Sequence, residues 1–290
     1  MLRHLFCSMV VGFASCAVLH AEEKAELDVK KDVTYATVGD TKLQLDLYSP
    51  KGLDHPVPAV VVIHGGGWMA GKRQDMASLA ERLAEHGFVA ATISYRFAPK
   101  HRFPAQIEDA KAAVRYLRAN AKELNIDPNN IGATGGSAGG HMAMMLGLMD
   151  SADGMEGDGG NPEQSSKVQC VVNFVGPVNL VRESYTPAQT QILTAWVGGD
   201  PKEKQDLVKA GSPFTYISKG DAPMLCFFGT KDPLVSHDQA MVIADALTKA
   251  EVPGRVEMLL GAGHGWGGEE MERTVQATLE FFDEHLKAEK

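Results

Sequence analysis

Apolar residues follow two alternating patterns along this chain. Short, nearly continuous apolar runs such as 59–63 are typical of strands that are buried on both faces of a sheet. Between such runs, apolar residues recur at helical spacing, as Ile107, Ala110 and Val114 do. Near the start, residues 33–47 instead alternate strictly about a Gly-Asp turn, which predicts an antiparallel hairpin. The predicted strands are 33–38, 43–47, 59–63, 88–94, 131–134, 168–175, 224–229 and 255–260.

This alternation of strands and helices predicts an α/β fold with an eight-stranded, mostly parallel sheet and helices on both faces. A chain of 290 residues with 44% hydrophobic content can bury one large core, so residues 22–290 are expected to form a single domain. The segment 176–223 is too long for a simple crossover and holds short helical pieces between prolines, which predicts a small cap segment. The stretch 150–167, rich in Gly, Asp and Ser, is interpreted as a surface loop inserted in the domain.

Residues 1–21 are predicted to be a signal peptide. A single basic residue, Arg3, precedes the mostly apolar stretch 5–19, and Ala21 is followed by charged residues. About 15 apolar residues are too few for a spanning helix of about 20, so stable membrane insertion is not expected. We expect export to the periplasm or the medium. In an alternative interpretation the chain is a lipoprotein lipidated at Cys16, although Phe13 is a poor fit to the aliphatic position of such sites.

Composition removes several classes of partner and cofactor. The net charge is −9 and the 28 Lys and Arg residues are scattered, so nucleic acid is not an expected partner. The sequence shows none of the Cys/His spacings of metal sites, and neither a metal nor another cofactor is expected. Cys170 and Cys226 fall in predicted buried strands, which favours free thiols over a disulfide.

The most informative stretch is Gly135-Gly136-Ser137-Ala138-Gly139, between a predicted strand and a predicted helix. Its G-x-S-x-G spacing is that of a nucleophile elbow, a sharp turn that lifts a serine hydroxyl above the edge of the sheet. Glycines two residues to either side of the serine avoid collisions with the neighbouring strand and helix. The backbone N–H of Ala138, at the start of the helix, is then directed at negative charge that forms beside Ser137. Ser137 is therefore the candidate nucleophile.

A serine nucleophile needs a base and an acid, and both have candidates at the carboxyl ends of later strands. His264 lies in a glycine-rich loop after the last predicted strand and is the candidate base. Asp232 directly follows the strand before it and is the candidate acid. Asp238 is a second candidate, although it lies in the first turn of a predicted helix, where an acidic residue has a capping role. Asn179 occupies the position at which some hydrolases place the acid one strand earlier, but it is neutral.

Hydrogen-bond donors for an oxyanion are predicted in the loop after strand 59–63. This loop reads His64-Gly65-Gly66-Gly67, and its glycines let backbone N–H groups approach a substrate carbonyl without an intervening side chain. The glycine cluster fits neither the GxxxxGK nor the GxGxxG pattern of phosphate-binding loops. His64 is interpreted as a structural residue that braces the loop.

These segments together resemble the hormone-sensitive-lipase-like esterases, and more closely the secreted bacterial carboxylesterases that include feruloyl and acetylxylan esterases. The resemblance spans about residues 33–286. Gly136 and Lys100 depart from it, because hormone-sensitive lipases usually have Asp and Glu there, and these departures favour the plant-cell-wall esterase branch. The motifs that carry the resemblance are His64-Gly65-Gly66-Gly67-Trp68, Tyr95-Arg96-Phe97-Ala98-Pro99, Phe103-Pro104-Ala105, Gly135-Gly136-Ser137-Ala138-Gly139-Gly140 and Gly263-His264-Gly265.

The resemblance implies an α/β-hydrolase fold and roles for particular residues. It implies that Ser137, Asp232 and His264 form the catalytic triad. It places oxyanion donors at Gly65, Gly66 and Ala138, and a structural salt bridge between Arg96 and Asp109. The residues expected to shape the substrate pocket, together with the cap segment, are Trp68, Tyr95, Trp196 and Trp266.

The expected function is that of a serine carboxylesterase that forms an acyl-enzyme on Ser137. Its expected substrates are small-molecule or carbohydrate esters with short or aromatic acyl groups. The alternatives are a secreted lipase or serine peptidase of the same fold, or a non-catalytic binding module. The cap segment lacks the broad amphipathic helix of a lipase lid. Prolyl-oligopeptidase-type peptidases usually carry a propeller domain ahead of the triad, and a binding module would usually have lost a triad residue.

Overall fold

The computed structural model describes residues 26–287, so the predicted signal peptide lies outside the described residues. The described chain contains eight strands, as predicted from the apolar runs. They are β1 (Leu27–Val38), β2 (Thr41–Pro50), β3 (Val57–Ile63), β4 (Val89–Ile93), β5 (Ile126–Gly136), β6 (Val171–Phe174), β7 (Met224–Gly229) and β8 (Gly254–Leu259). All eight belong to one sheet in the order β1-β2-β4-β3-β5-β6-β7-β8.

Strand direction follows the pattern of the sequence. β1 and β2 form the predicted antiparallel hairpin, and β2 also pairs antiparallel with β4. From β4 onward, the neighbouring strands are parallel. The predicted eight-stranded, mostly parallel sheet of an α/β-hydrolase fold is therefore confirmed. Because parallel strands all end at one edge, the loops that follow β3, β5, β7 and β8 meet there.

Helices cover both faces of this sheet. They are α1 (Ala77–Glu85), α2 (Ala105–Ala119), α3 (Ala121–Leu124), α4 (Ala138–Leu148), α5 (Pro187–Val197), α6 (Gln205–Ala210), α7 (Asp238–Ala250) and α8 (Gly268–Leu286). Short 3₁₀ turns occur at Arg73–Met76, Ser151–Asp153 and Pro213–Thr215. α1 and α8 pack on one face, and α2, α4 and α7 pack on the other.

The burial of β3 on both faces explains why its sequence is almost entirely apolar. Val60 and Val62 are buried in the cluster that contains α1 and α8. Val61 and Ile63 are buried in the cluster that contains α2, α4 and α7. Since successive side chains of a strand point to opposite faces, a central strand between two helical layers needs an apolar residue at every position.

Several strands differ in length from the prediction, and β1 for example begins at Leu27 instead of residue 33. β5 begins at Ile126 instead of residue 131, but its pairing with β3 jumps from Ile126 to Ile131. The predicted turn at residues 127–128 lies in this gap, where Asp127 accepts hydrogen bonds from Asn129 and Asn130. β6 covers four residues instead of the predicted 168–175. It stops where Val175 takes a left-handed backbone conformation with φ of +50°.

The stretch 150–167 is held firmly against α2 and is more than an exposed insertion. Its Glu156 carboxylate lies 2.8 Å from Lys111 Nζ and 2.6 Å from Arg115 Nη1. Both cationic side chains are buried, and they lie four residues apart on one face of the helix. The sequence did not indicate this attachment, because Lys111 and Arg115 there resemble the solvated face of an amphipathic helix.

The cap segment, residues 176–223, contains α5, α6 and the turn at Pro213–Thr215. Its apolar side chains Leu193, Trp196 and Val208 are buried in the same cluster as α2 and α4. The backbone N–H of Phe214 also donates to the carbonyl oxygen of Val178 over 3.0 Å. The cap segment is therefore a fixed wall that is continuous with the core.

Cys170 and Cys226 are free and buried, as predicted. Burial raises the pKa of the Cys226 thiol to about 12, so this thiol stays protonated and unreactive.

Candidate active site

The backbone at Ser137 has the geometry of a nucleophile elbow. Ser137 lies between β5 and α4 with φ of +55° and ψ of −120°, a strained conformation for a residue with a side chain. A Cβ at Gly135 would lie 2.4 Å from the carbonyl oxygen of Ile63, and a Cβ at Gly139 only 2.0 Å from the same atom. The two glycines are therefore required by the closeness of β3, which is the steric reason predicted for the G-x-S-x-G spacing.

The structure brings Ser137, His264 and Asp232 together from three separate loops. His264 Nε2 lies 2.9 Å from Ser137 Oγ, and His264 Nδ1 lies 2.7 Å from Asp232 Oδ2. The other oxygen of Asp232 accepts hydrogen bonds from the backbone N–H groups of Leu234 and Val235 at 2.8 and 2.9 Å. Every oxygen of the buried carboxylate is thus hydrogen-bonded, which fixes the direction in which it faces the imidazole.

The electrostatics of this trio suit proton transfer. Burial alone would raise the pKa of the Asp232 carboxyl, but hydrogen bonds from His264, Val235 and Leu234 outweigh it and hold that pKa below its ordinary value. Asp232 is therefore ionised and accepts the Nδ1–H of His264, which leaves Nε2 free to take the proton of the Ser137 hydroxyl.

The two other acid candidates lie elsewhere. Asp238 is the first residue of α7 and forms an ion pair with Arg182. The side-chain oxygen of Asn179 accepts a hydrogen bond from the backbone N–H of Val181, two residues on. Of the three candidates, Asp232 is the one that is hydrogen-bonded to His264.

The loop after β3 is arranged by a buried tyrosine. The hydroxyl of Tyr95 lies 3.1 Å from the carbonyl oxygen of His64 and 3.0 Å from that of Gly65. The imidazole of His64 stacks on the Tyr95 ring, and its Nδ1 lies 2.7 Å from the Gly65 carbonyl oxygen. This geometry agrees with the bracing role predicted for His64.

These contacts fix the direction of two backbone N–H groups. In a trans peptide the carbonyl and the N–H of the next residue point in opposite directions. Since the carbonyls of His64 and Gly65 both converge on Tyr95, the N–H groups of Gly65 and Gly66 point away from it. Gly65 lies beside the nucleophile, because a Cβ there would be 3.3 Å from Ser137 Cβ.

The remaining geometry of the predicted oxyanion donors is also set by the backbone. Gly66 has φ of +109°, and a Cβ at this position would lie 2.0 Å from the carbonyl oxygen of Ala70. Ala138 is the first residue of α4, so its N–H is one of those at a helix start that have no partner within the helix. Gly65 and Ala138 thus lie next to Ser137, and Gly66 borders the first of the two cavities described below together with Ser137.

Two cavities meet at Ser137 and His264. The first has a volume of about 370 Å³ and lies under the cap segment. Trp68, Leu180, Leu193 and Val235 contribute to its lining, and all four are buried. Its lining also includes Gly66, Gly67, Met69, Ala138, Pro177, Asn179, Arg182, Tyr185, Gln189, Ile192, Leu234 and Gln239.

The second cavity, of about 410 Å³, lies on the other side of the nucleophile. It is bordered by Phe174, by the His264 loop with Trp266, and by residues of α1 and α8. The backbone of Gly65 and Gly136 completes its inner end. An ester whose carbonyl carbon lies at Ser137 therefore has one cavity available for each of its two substituents.

The four aromatic residues expected to shape the substrate pocket divide into two pairs. Trp68 borders the first cavity and Trp266 the second. Tyr95 and Trp196 border neither cavity, which corrects the expectation that they contact substrate. Trp196 is fully buried, because its ring stacks on Trp68 at 4.1 Å and its Nε1 donates to Gln106. Tyr95 is turned toward the loop after β3.

Some residues of the cavities were not identified from the sequence. Phe174 ends β6 at the carboxyl edge of the sheet, and this position could have suggested it. Met76, Leu79 and Met271 approach the second cavity from helices that are far apart in the chain. Their spacing is that of ordinary core-facing positions, so the sequence holds no signal that distinguishes them.

His141 is a structural residue of the core. It is fully buried, and its Nδ1 accepts a hydrogen bond from Trp68 Nε1. Its Nε2 lies 2.6 Å from the carbonyl oxygen of Gly211. Burial lowers the pKa of His141 to about 4, so the imidazole is neutral near pH 7. Arg96 and Asp109 form the implied salt bridge at 2.7 Å.

The described part of the chain has two features that bear on cofactors and membranes. Between residues 26 and 287, no group of three or more His, Cys, Asp or Glu side chains is placed to hold a metal ion. Over the same residues, none of the helices combines the length and apolar character that crossing a bilayer requires.

Comparisons with known proteins agree with the fold described above. The model of the BD-FAE family matches residues 45–247. Esterase LipC of Mycobacterium tuberculosis is 32% identical over 240 residues, which cover 79% of this chain and 58% of that protein. The chain spans about half the length of the curated relatives it matches.

Solved structures are similar over nearly the whole chain. A truncated form of a carbohydrate esterase from gut microbiota has a TM-score of 0.83 and 30% identity, covering 92% of this chain and 99% of that one. Esterase Est2 of Thermogutta terrifontis with propionate bound has a TM-score of 0.74 and 29% identity, covering 92% of this chain and 97% of that one.

Proposed function

The chain belongs to the BD-FAE family of α/β-hydrolases, and from this membership we propose that it is a serine carboxylesterase. The observation that carries the proposal is the contact of His264 with both Ser137 Oγ and Asp232 Oδ2. Solved structures with this fold and about 30% identity are named as esterases, which supports the same reaction.

The geometry supports a two-step reaction. His264 Nε2 takes the proton of the Ser137 hydroxyl while Oγ attacks the ester carbonyl carbon. The resulting oxyanion faces the N–H groups of Gly65, Gly66 and Ala138. His264 then gives its proton to the leaving alcohol oxygen, and an acyl-enzyme on Ser137 remains. Water, deprotonated by His264, attacks this ester in the second step and releases the acid.

We propose that the substrates are esters of short or aromatic acids carried on carbohydrate. The first cavity supports the limit on the acyl group, because it lies under the cap segment and its volume is only about 370 Å³. Each further CH₂ adds about 0.8 kcal/mol only while a pocket can bury it. The carbohydrate part is supported by the structural likeness to a protein named as a carbohydrate esterase.

The cap segment argues against a lipase. A lid that opens at an oil surface needs a broad exposed apolar face. In α5, the longest helix of the cap segment, Leu193, Trp196 and Val197 are buried in the core. Its exposed residues are Pro187, Ala188, Gln191 and Thr194, which do not form a broad apolar face.

The test is ester hydrolysis by purified protein, with p-nitrophenyl acetate and with acetylated and feruloylated xylo-oligosaccharides. Ser137→Ala should lower kcat by as much as about 10⁶. Ser151→Ala, at an exposed serine far from both cavities, is the matched control and should behave as the wild type. A Ser137→Ala protein that keeps more than a few per cent of the activity would rule the nucleophile out.

A further inference from the structure

The second cavity has an apolar wall with a fixed aromatic ring. Trp266 is held in place because its Nε1–H donates to Thr274 Oγ1 over 2.9 Å, and that oxygen is itself bonded to the backbone of α8. Behind it, the Phe174 and Phe227 rings lie 6.0 and 6.3 Å from the indole. The indole is half-buried, so one part of it remains open to the cavity. Because the indole is already fixed, a ligand can pack on it without the entropy cost of immobilising the Trp266 side chain.

The mouth of this cavity is charged. Arg82 of α1 and Glu272 of α8 border it and pair with each other at 2.8 Å. Asp75 and Ser78 also lie at this mouth, and both are exposed. The mouth therefore offers a guanidinium group, carboxylates and a hydroxyl within reach of one bound molecule.

An apolar ring inside and a charged mouth outside match the chemistry of a sugar. A pyranose presents C–H groups on its faces, which pack on an aromatic ring, and hydroxyls around its edge, which hydrogen-bond to carboxylates and guanidinium groups. An oligosaccharide is also longer than the cavity and has to continue into solvent through the mouth. The first cavity offers no comparable open indole, because its tryptophan, Trp68, is buried and already stacked on Trp196.

We propose that the first cavity holds the acyl group of the substrate and that the second cavity holds the sugar that carries the ester, stacked on Trp266. This inference rests on the proposed esterase function. The leaving sugar oxygen takes its proton from His264 Nε2, which both cavities reach. The alcohol then departs past Arg82 and Glu272 while the acyl group stays on Ser137 under the cap segment.

The test compares two acetate esters that differ only in their alcohol, ethyl acetate and mono-acetylated xylobiose. The measured quantity is the ratio of kcat/KM for the xylobiose ester to kcat/KM for ethyl acetate. Trp266→Leu should lower this ratio about ten-fold, since it removes the stacking surface. Arg82→Gln, at a partly exposed position where folding is not at risk, should lower it about three-fold. Arg273→Gln is the matched control, because Arg273 is an ion-paired arginine of α8 that borders neither cavity.

A second measurement does not depend on turnover. Xylobiose itself, added to the Ser137→Ala protein, should quench or shift tryptophan fluorescence and should be detected by titration calorimetry. Both signals should be lost when Trp266→Leu is added to Ser137→Ala.

Ile192→Phe provides the reciprocal check, since Ile192 borders the first cavity. It should lower activity on butyrate relative to acetate without changing the sugar ratio. The inference is overturned if Ile192→Phe changes the ratio of kcat/KM for the xylobiose ester to kcat/KM for ethyl acetate. It is also overturned if neither Trp266→Leu nor Arg82→Gln changes that ratio. A wild-type protein that hydrolyses ethyl acetate but neither prefers nor binds the sugar also overturns it, although the esterase function then stands. If no ester is hydrolysed, the proposed function itself fails.

Discussion

Replacing Tyr95 by Phe removes a single oxygen atom from the structure, and its effect should appear in kcat. The hydroxyl donates to the carbonyl oxygens of His64 and Gly65, at 3.1 and 3.0 Å, and so sets the direction of the two N–H groups behind them. Burial raises the pKa of Tyr95 well above its ordinary value, so the phenol is a donor at every working pH. The Phe ring keeps the stacking on His64.

The expected loss in kcat depends on the contacts that still hold the oxyanion loop in the Tyr95→Phe protein. Complete loss of one oxyanion donor costs about 10²–10³ in kcat in other hydrolases. In the Tyr95→Phe protein the donors of Gly65 and Gly66 are still present but less well fixed, because the Gly65 carbonyl keeps only its contact with His64 Nδ1. We therefore expect kcat to fall about ten-fold, with KM changed by less than about three-fold. Leaving a buried carbonyl without its donor should also lower the free energy of unfolding by about 1–3 kcal/mol.

The assay is steady-state hydrolysis of p-nitrophenyl acetate together with urea unfolding. Tyr35→Phe is the matched control, since Tyr35 is equally buried and its hydroxyl donates to the Ser94 carbonyl oxygen at 2.6 Å, away from the oxyanion loop. It should lose a similar amount of stability and keep its kcat. A Tyr95→Phe protein with unchanged kcat, or with a raised KM as its main defect, would show that Tyr95 does not act through the oxyanion loop.

Three further outcomes are expected. Asp232→Asn should lower kcat by about 10⁴, because the amide favours the wrong tautomer of His264, whereas Asp238→Asn should have little effect. Measuring kcat of both variants for ester hydrolysis decides which of the two is the catalytic acid. On p-nitrophenyl esters from two to sixteen carbons, kcat/KM should peak at or below about six carbons, and a jump in rate where a long ester passes its solubility limit would indicate a lipase. The free energy of unfolding should fall as the pH drops from about 6.5 toward 4, by at most about 1.4 kcal/mol per pH unit for His141, because the unfolded chain takes up a proton there that the folded chain does not; urea midpoints should show the slope, and His141→Gln should flatten it.

The proximity of Ser137, His264 and Asp232 could be predicted from the sequence, because each of these residues lies in a loop whose position is fixed by the strand before it. Ser137 is positioned by a turn whose glycines are visible in the sequence, and His264 and Asp232 follow strands whose ends must meet at one edge of a parallel sheet. The order of the serine, the aspartate and the histidine along the chain, each after its own strand, then indicates which three loops come together. No knowledge of side-chain packing is needed for that step.

The directions of Tyr95 and Trp196 could not be predicted in this way. Both are large and amphipathic, and such residues are as well suited to a pocket wall as to a core. Trp196 points inward because Trp68 and Gln106, which are far from it in the chain, provide a ring to stack on and an acceptor for its Nε1. The attachment of Glu156 to α2 was missed for the same reason, since it depends on a contact between segments about 40 residues apart.

The stack of Trp196 on Trp68 affects how this enzyme could be altered. It joins the cap segment to Trp68, which directly follows the proposed oxyanion glycines. A substitution that widens the first cavity at Trp68 should therefore also disturb the groups proposed to stabilise the reacting oxygen. Selectivity for the acid and catalytic power are therefore coupled on that side. At the second cavity, α8 is likewise tied to the His264 loop by the hydrogen bond from Trp266 to Thr274. Substitutions on the α1 side of that cavity are therefore the ones expected to change the preferred alcohol while turnover is preserved.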